Sequence, residues 1–202
     1  MIKSVFLASA LLVSSSMTAY AQDSAAEWSA ETAAQFGPAV GTMAPAISAT
    51  DADGAAQNFS SLSGENGLVV YFNRSLDWCP ICVRQTLEVE AAADQFAEAG
   101  WGLAVVSRDD VATLERAKFR HEFSIPLLAD ADSALIDVFD IRDPVYADPA
   151  HRAHGVPYPM AFAINSDGEI VEKFWHEAGL GDQRGYATRV SAEDVLNALG
   201  ES

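Results

Sequence analysis

The chain has 202 residues, half of them apolar and 9% aromatic, with a formal charge of −17. That composition excludes a disordered chain and suffices for one domain with a sizeable core. The acid excess argues against nucleic acid and anionic lipid as partners, and a solvated acidic surface is its plain reading.

In chain order, the first feature is an export signal. Lys3 is followed by an apolar stretch over residues 5–13, then by Ala19-Tyr20-Ala21 in the small-x-small pattern of a cleavage site. Cleavage after Ala21 divides the chain into a signal (1–21), a leader segment (22–40) and a domain (41–202). The apolar stretch is too short to span a bilayer, and no later segment approaches the roughly 20 apolar residues required. A soluble periplasmic or secreted protein is therefore expected, with no stable membrane insertion once the signal is removed. Residues 24–36 are alanine-rich and fit either an amphipathic helix or a loosely docked leader.

Residues 41–47 contain the turn-like Met43-Ala44-Pro45. Asp51-Ala52-Asp53-Gly54 reads as a tight turn between two short strands. It is not a calcium loop, because the later ligand positions are missing. Leu68-Val69-Val70-Tyr71-Phe72 is apolar without alternation, as expected of a central strand buried on both faces. It leads into Trp78-Cys79-Pro80-Ile81-Cys82, which holds both cysteines of the chain.

A C-x-x-C at the start of a helix places the first sulfur where helix N–H groups point and the second one turn deeper. A disulfide across two intervening residues closes so small a loop that it constrains the unfolded chain very little, so redox chemistry is favoured over a structural staple. Pro80 suits the first turn of that helix, since it has no N–H to satisfy.

From 80 to 99, Val83, Leu87, Ala91 and Phe96 recur at helical spacing, and Gly100 is a stop. Residues 103–107 form another buried strand, so strand, helix and strand make a parallel crossover unit. A helix over 111–123 follows, then Ile125-Pro126-Leu127-Leu128, a short strand at most because of its proline. Ser133 is the expected cap of a helix running through Phe139, with Asp130 and Asp132 just upstream. Residues 142–159 have no periodicity and form a long loop. Two apolar-rich segments around Asn165-Ser166-Asp167-Gly168 make a hairpin, and a last helix starts at Ser191.

This order, strand, W-C-P-x-C, helix, strand, helix, then a proline, an antiparallel hairpin and a final helix, resembles the thioredoxin fold. The resemblance implies an α/β domain with a central mixed β-sheet flanked by helices. From about Gly41 to Gly200 the chain resembles the redoxin group, which joins alkyl hydroperoxide reductase/thiol-specific antioxidant proteins with exported thioredoxin-like reductases. The match is carried by Ala44-Pro45, by Phe72-Asn73-Arg74 ahead of the cysteine motif, and by Gly155-Val156-Pro157-Tyr158-Pro159 ahead of Phe162. Within that group the chain is most similar to peroxiredoxin-like proteins with a thioredoxin-type C-x-x-C.

The chemistry departs from true peroxiredoxins, which place Thr or Ser three residues, and Pro seven residues, before the peroxide-attacking cysteine. Those places hold Leu76 and Phe72 ahead of Cys79, and Cys79 and Ser75 ahead of Cys82. The pair Cys79-Pro80 is shared with peroxiredoxins.

Cys79 is assigned as the attacking thiolate and Cys82 as the resolving thiol, since the first cysteine of such a motif lies nearer solvent and the helix terminus. A free thiol has a pKa of about 8.5, and a helix N-terminus supplies only about 0.3–1 kcal/mol toward lowering it. Arg74 and Arg84 are expected supplements, Arg74 also as a substrate contact, whereas Asp77 opposes ionisation if it points inward. Trp78 is read either as an apolar wall beside the sulfur or as an ordinary core aromatic. The resemblance implies that Pro159 is a cis proline facing the cysteine pair, with Tyr158 flanking a substrate groove and Pro157 as the alternative.

The reading that follows is an exported thiol–disulfide oxidoreductase with an antioxidant role, cycling between dithiol and Cys79–Cys82 disulfide with a protein redox partner and no bound cofactor. The alternative is a thiol-dependent peroxidase with Cys79 as the attacking group and a hydroperoxide as substrate. A less favoured alternative is a copper carrier that adds His151 or His154 to the cysteines. Copper-delivery proteins of this fold, however, place three residues between the cysteines. Arg142 or Arg152 in the long loop is a candidate substrate-steering group.

Overall fold

The computed structural model describes residues 36–176 and 185–200. The export signal and nearly all of the leader lie outside the described residues. Among those described, no helix is long and apolar enough to cross a membrane.

Seven strands form one mixed sheet in the order β2-β1-β5-β4-β3-β6-β7. They are β1 (Ser48–Asp51), β2 (Ala56–Asn58), β3 (Gly67–Asn73), β4 (Trp101–Ser107), β5 (Leu127–Ala129), β6 (Met160–Asn165) and β7 (Ile170–Phe174). The helices are α1 (Phe59–Leu62), α2 (Pro80–Ala91), α3 (Ala93–Glu98), α4 (Val111–His121), α5 (Ala134–Val138) and α6 (Ala192–Gly200). Strand β3 lies near the middle, parallel to β4 along its whole length and antiparallel to β6, and all of its residues are buried. This is the two-sided burial that its unbroken apolar run requires.

Alternate residues of β3 feed two cores. Val69 and Tyr71 pack with Val89, Phe96, Leu114 and Val195, which lie on α2, α3, α4 and α6. Leu68, Val70 and Phe72 pack on the opposite side with Leu62, Ile136 and Ile141. There Phe72, Phe139 and Phe162 stack with ring centroids 4.8–5.9 Å apart. The entry to β3 tolerates only glycine: Gly67 has φ +135°, and a Cβ on it would stand 2.0 Å from the Ile164 carbonyl oxygen.

Local chemistry explains most boundaries. The Asp51 carboxylate accepts from the N–H groups of Asp53 and Ala55, closing the β1–β2 turn. Asp110 caps α4 by accepting from the Thr113 N–H, and Glu122 ends it at φ +58° after Lys118, Arg120 and His121. Asn165 accepts from Asp167 and Glu169 in the β6–β7 turn. Ser191 and Asp194 exchange reciprocal bonds at the head of α6, the former accepting from the Asp194 N–H at 3.0 Å.

Two expectations need correction. The helix over 80–99 is interrupted at Ala92, whose N–H is shared between Val89 and Glu90 carbonyls, and no side chain caps the second segment. Nothing in the side-chain contacts explains that break. Ser133 does not cap α5: it sits at φ +65° and its hydroxyl donates to the Gly155 carbonyl. The cap is Asp130, whose two carboxylate oxygens accept from the Leu135 and Ile136 N–H groups at 2.9 and 3.0 Å. A serine hydroxyl, with its shorter reach and single oxygen, is free to tie down the long loop instead.

Candidate redox site

Strands β3 and β4 run parallel and in register, Asn73 beside Ser107, so the loops after them leave the same edge of the sheet. Asp109 joins these two loops. It is buried, and it accepts from the Ser75 hydroxyl at 2.7 Å, the Leu76 N–H at 2.6 Å and the Ser107 hydroxyl at 2.8 Å. Ser75 in turn accepts from the Asp77 and Trp78 N–H groups. The backbone leading to the cysteines is thus held by one carboxylate that does not itself reach the sulfurs.

Cys79 is the N-cap of α2 and Pro80 opens its first turn. The Cys79 sulfur accepts from the Cys82 N–H at 3.3 Å, which aims a free helix donor at it. Cys79 and Cys82 are joined as a disulfide with their Cα atoms 5.3 Å apart. Cys79 is 3% exposed and lines a cavity of about 480 Å³, whereas Cys82 is fully buried. Chemistry from outside therefore meets Cys79 first.

The cation at the sulfurs is Arg189, which the sequence reading did not single out. Its Nη2 stands 3.3 Å from the Cys82 sulfur and 4.0 Å from that of Cys79. Its Nη1 donates to Asn73 Oδ1 at 2.7 Å and to Gln85 Oε1 at 3.2 Å. Gln85 also donates to the Val190 carbonyl, and Glu88 accepts from the Ala192 N–H, so α2 itself clips the Arg189 segment in place. Burial pushes the guanidinium pKa down to about 9, with repulsion from Arg74 and Arg84 adding to it. It remains a cation at neutral pH.

Of the two arginines expected to help, Arg84 is exposed, and Arg74 lines the cavity. The Arg74 guanidinium lies 4.1 Å from the Tyr186 ring centroid, 4.4 Å from that of Tyr146 and 5.4 Å from that of Trp78. Trp78 forms part of the cavity wall beside Cys79, and Arg152 stacks on it at 4.5 Å. Asp77 is exposed and does not line the cavity. Near Arg74, burial pushes the Asp143 carboxyl up to about 6 despite the opposing pull of that guanidinium and an N–H donated by Val145.

The proline expectation is overturned. Among the described residues no peptide bond is cis, so the Tyr158–Pro159 bond is trans. Nor is the backbone there left open: the Tyr158 N–H donates to the Ile141 carbonyl at 2.8 Å, and Pro157 bridges to Arg142. With those partners the lower-energy trans form stands without opposition. Tyr158 is likewise no groove residue. It is 3% exposed, its hydroxyl donates to the His176 carbonyl at 2.6 Å, and its ring meets Phe36 edge-on.

In the long loop, Arg142 forms an ion pair with Asp137, while His151 lines the cavity and His154 does not. Among the described residues no group of three or more His, Cys, Asp or Glu side chains is placed to hold a metal ion. Asp109 and Arg189 carried weak local signals: an acid pair after a strand, and one of nine arginines in an acidic chain.

A family model described as AhpC/TSA matches residues 40–173. The chain belongs to the AhpC/TSA family. One relative is peroxiredoxin Bcp of Xanthomonas campestris pv. campestris, 35% identical over 74 residues, covering 37% of this chain and 46% of that protein. A second is the thiol-disulfide oxidoreductase ResA of Halalkalibacterium halodurans, 27% identical over 134 residues, covering 66% of this chain and 65% of that protein. The chain thus spans less than two thirds of the length of either. Among solved structures, peroxidoxin BcpB of Mycobacterium tuberculosis superposes with TM-score 0.64 at 19% identity, over 80% of this chain and 96% of that one. Peroxiredoxin Q of Xanthomonas campestris superposes with TM-score 0.60 at 24% identity, over 77% and 90%. These likenesses establish the thioredoxin-like fold of the peroxiredoxin group.

Proposed function

We propose that this AhpC/TSA protein is an exported thiol–disulfide oxidoreductase with an antioxidant role, using Cys79 and Cys82 as its redox couple. The observation that carries the reading is the disulfide at the head of α2, with Cys79 on a cavity and Arg189 against both sulfurs. The name of the ResA relative points the same way.

In the reduced state Cys79 carries the thiolate, favoured by the Cys82 N–H and the Arg189 charge. It attacks one sulfur of a partner disulfide, forming a mixed disulfide and expelling the other sulfur as a thiolate. Cys82 then loses its proton and attacks the Cys79 sulfur. This re-forms the internal disulfide, releases the second thiol and passes two electrons to the partner. The same steps in reverse oxidise a dithiol partner. The partner is taken to be a protein, and the exchange needs no bound cofactor.

The test uses reduced protein and a disulfide-bonded substrate protein. Cys82→Ser should trap a mixed disulfide on Cys79, and Cys79→Ser should give none. Equal trapping by both variants, or by neither, would refute the assignment.

A second reading, peroxide reduction, is favoured by the peroxiredoxin Bcp relative. There the Cys79 thiolate attacks the O–O bond, releasing an alcohol or water and leaving a sulfenic acid, and Cys82 condenses with it to release water. Against it, Ser75, the nearby hydroxyl, already donates to Asp109, and Leu76 offers none. Rapid mixing of reduced protein with peroxide separates the readings: fast, saturable thiol loss supports peroxidase action, and slow bulk oxidation supports exchange. Export rests on the signal-like residues 1–21 and is tested by the mass of the protein recovered from the periplasm or medium.

A further inference from the structure

The cavity beside Cys79 has a charge opposite to that of the protein. The chain carries −17, yet the described residues lining this cavity include Arg74 and Arg152 and no Asp or Glu. Both guanidiniums lie near the Trp78 ring, at 5.4 and 4.5 Å, which puts them at most about 10 Å apart. Two cations so close, with water partly excluded, repel each other unless an anion lies between them.

Among the described residues neither is held in an ion pair, although Asp143 lies close enough to attract Arg74. Among the described residues the ion pairs are Lys118–Asp53 and Arg142–Asp137. Arg74 is only 3% exposed, and its buried Nε has no hydrogen-bond partner. It is flanked by the Tyr146 and Tyr186 rings and hydrogen-bonded to Tyr146, which leaves the rest of the guanidinium edge as the available donor. The acid that attracts Arg74, Asp143, is itself buried and does not line the cavity. Ile81, Val145 and Pro80 complete an apolar wall. An apolar arm ending in a carboxylate matches this arrangement, with its reacting sulfur at Cys79 and its charge at Arg74 and Arg152.

We propose that the cavity binds small organic disulfides whose arms carry carboxylates, and that Arg152 and Arg74 select them over neutral and cationic disulfides. The proposal rests on the exchange reading above and names a substrate class for it. The Cys79 thiolate attacks one sulfur of the small disulfide and expels one carboxylate-bearing thiolate. Cys82 then displaces the second from Cys79, so two electrons pass to the small disulfide and two thiol molecules leave.

The test compares three probes on the reduced full-length protein by stopped-flow tryptophan fluorescence: 3,3′-dithiodipropionate, 2-hydroxyethyl disulfide and cystamine. The expected order is anionic, neutral, cationic, with the anionic probe saturating. A single screened charge contact is worth up to about 1 kcal/mol, so Arg152→Gln should lower the anionic-to-neutral rate ratio by about three- to fivefold. Arg152→Lys should restore part of it. Equal rates, or cystamine reacting fastest as the net charge alone would dictate, overturn the proposal while leaving exchange at Cys79 intact. Should no probe oxidise the protein, exchange with a protein partner is left to the trapping test above, and binding of dithiodipropionate to the oxidised protein still decides the cavity's preference. A saturable fluorescence change that is weakened in Arg152→Gln supports it, and no binding overturns it.

Discussion

Arg189 Nη2 lies 3.3 Å from the sulfur of Cys82, so a buried cation faces the cysteine that solvent does not reach. A fixed positive charge there stabilises a thiolate and leaves a neutral disulfide unaffected, which favours the reduced form. Arg189→Gln should therefore raise the thiol pKa by about one unit. It should also lower the reduction potential of the pair by about 30 mV, the equivalent of about 1.4 kcal/mol for a two-electron couple. Thiolate absorbance against pH and equilibration with a thiol redox buffer check both, and an unchanged or higher potential would contradict the role.

Gln85 is a positioning residue for that cation, accepting from Arg189 Nη1 at 3.2 Å while donating to the Val190 carbonyl at 3.0 Å. Gln85→Ala should shift the potential in the same direction as Arg189→Gln but by less. The two changes should be non-additive, since the second removes the group through which the first acts. Additive potential shifts in the double variant would show that Gln85 acts independently.

Asp109 satisfies two buried hydroxyls and one backbone N–H at once. Asp109→Ala leaves all three without their acceptor and should cost about 3 kcal/mol of stability, measured by urea unfolding. Asp109→Asn keeps the shape but loses the charge and part of the accepting capacity, so a smaller loss is expected.

Asp143 makes a prediction about pH with a definite sign. Its folded pKa, about 6, lies above its ordinary value of 3.8, so the folded state binds this proton more tightly than the unfolded state does. The contribution is fully present below pH 3.8 and is lost as pH rises through about 6. The difference corresponds to about 3 kcal/mol at most. Asp143→Asn should remove this component, so the gap between variant and parent stability should widen in the variant's favour between pH 4 and 7. A gap independent of pH would mean that Asp143 titrates normally.

Much of the scaffold was legible because its signals are local. The unbroken run ending at Phe72 became the buried strand β3, and Asn165-Ser166-Asp167-Gly168 became the β6–β7 turn. Pro126 limited its strand to three residues, yet β5 pairs on both sides because the proline lies just outside it. The position of Cys79 at a helix start was readable from C-x-x-C followed by a 3.6-residue period. Where two local options competed, as between Ser133 and Asp130 for the cap of α5, sequence could not choose, because the choice depended on the Gly155 carbonyl 22 residues away.

By itself, the sequence determined the strand and helix order, the vicinity of the two sulfurs and the excess of acid, since each depends on neighbours within a turn or on composition. Tertiary structure decided which cation meets the sulfurs, which arginines share Trp78, and that Tyr158 is a core residue. Arg189 stands 107 residues from Cys82 in the chain, and only the packing of the last segment against α2 brings the two together. A contact of that kind is set by how separated surfaces bury against each other, which no local spacing records.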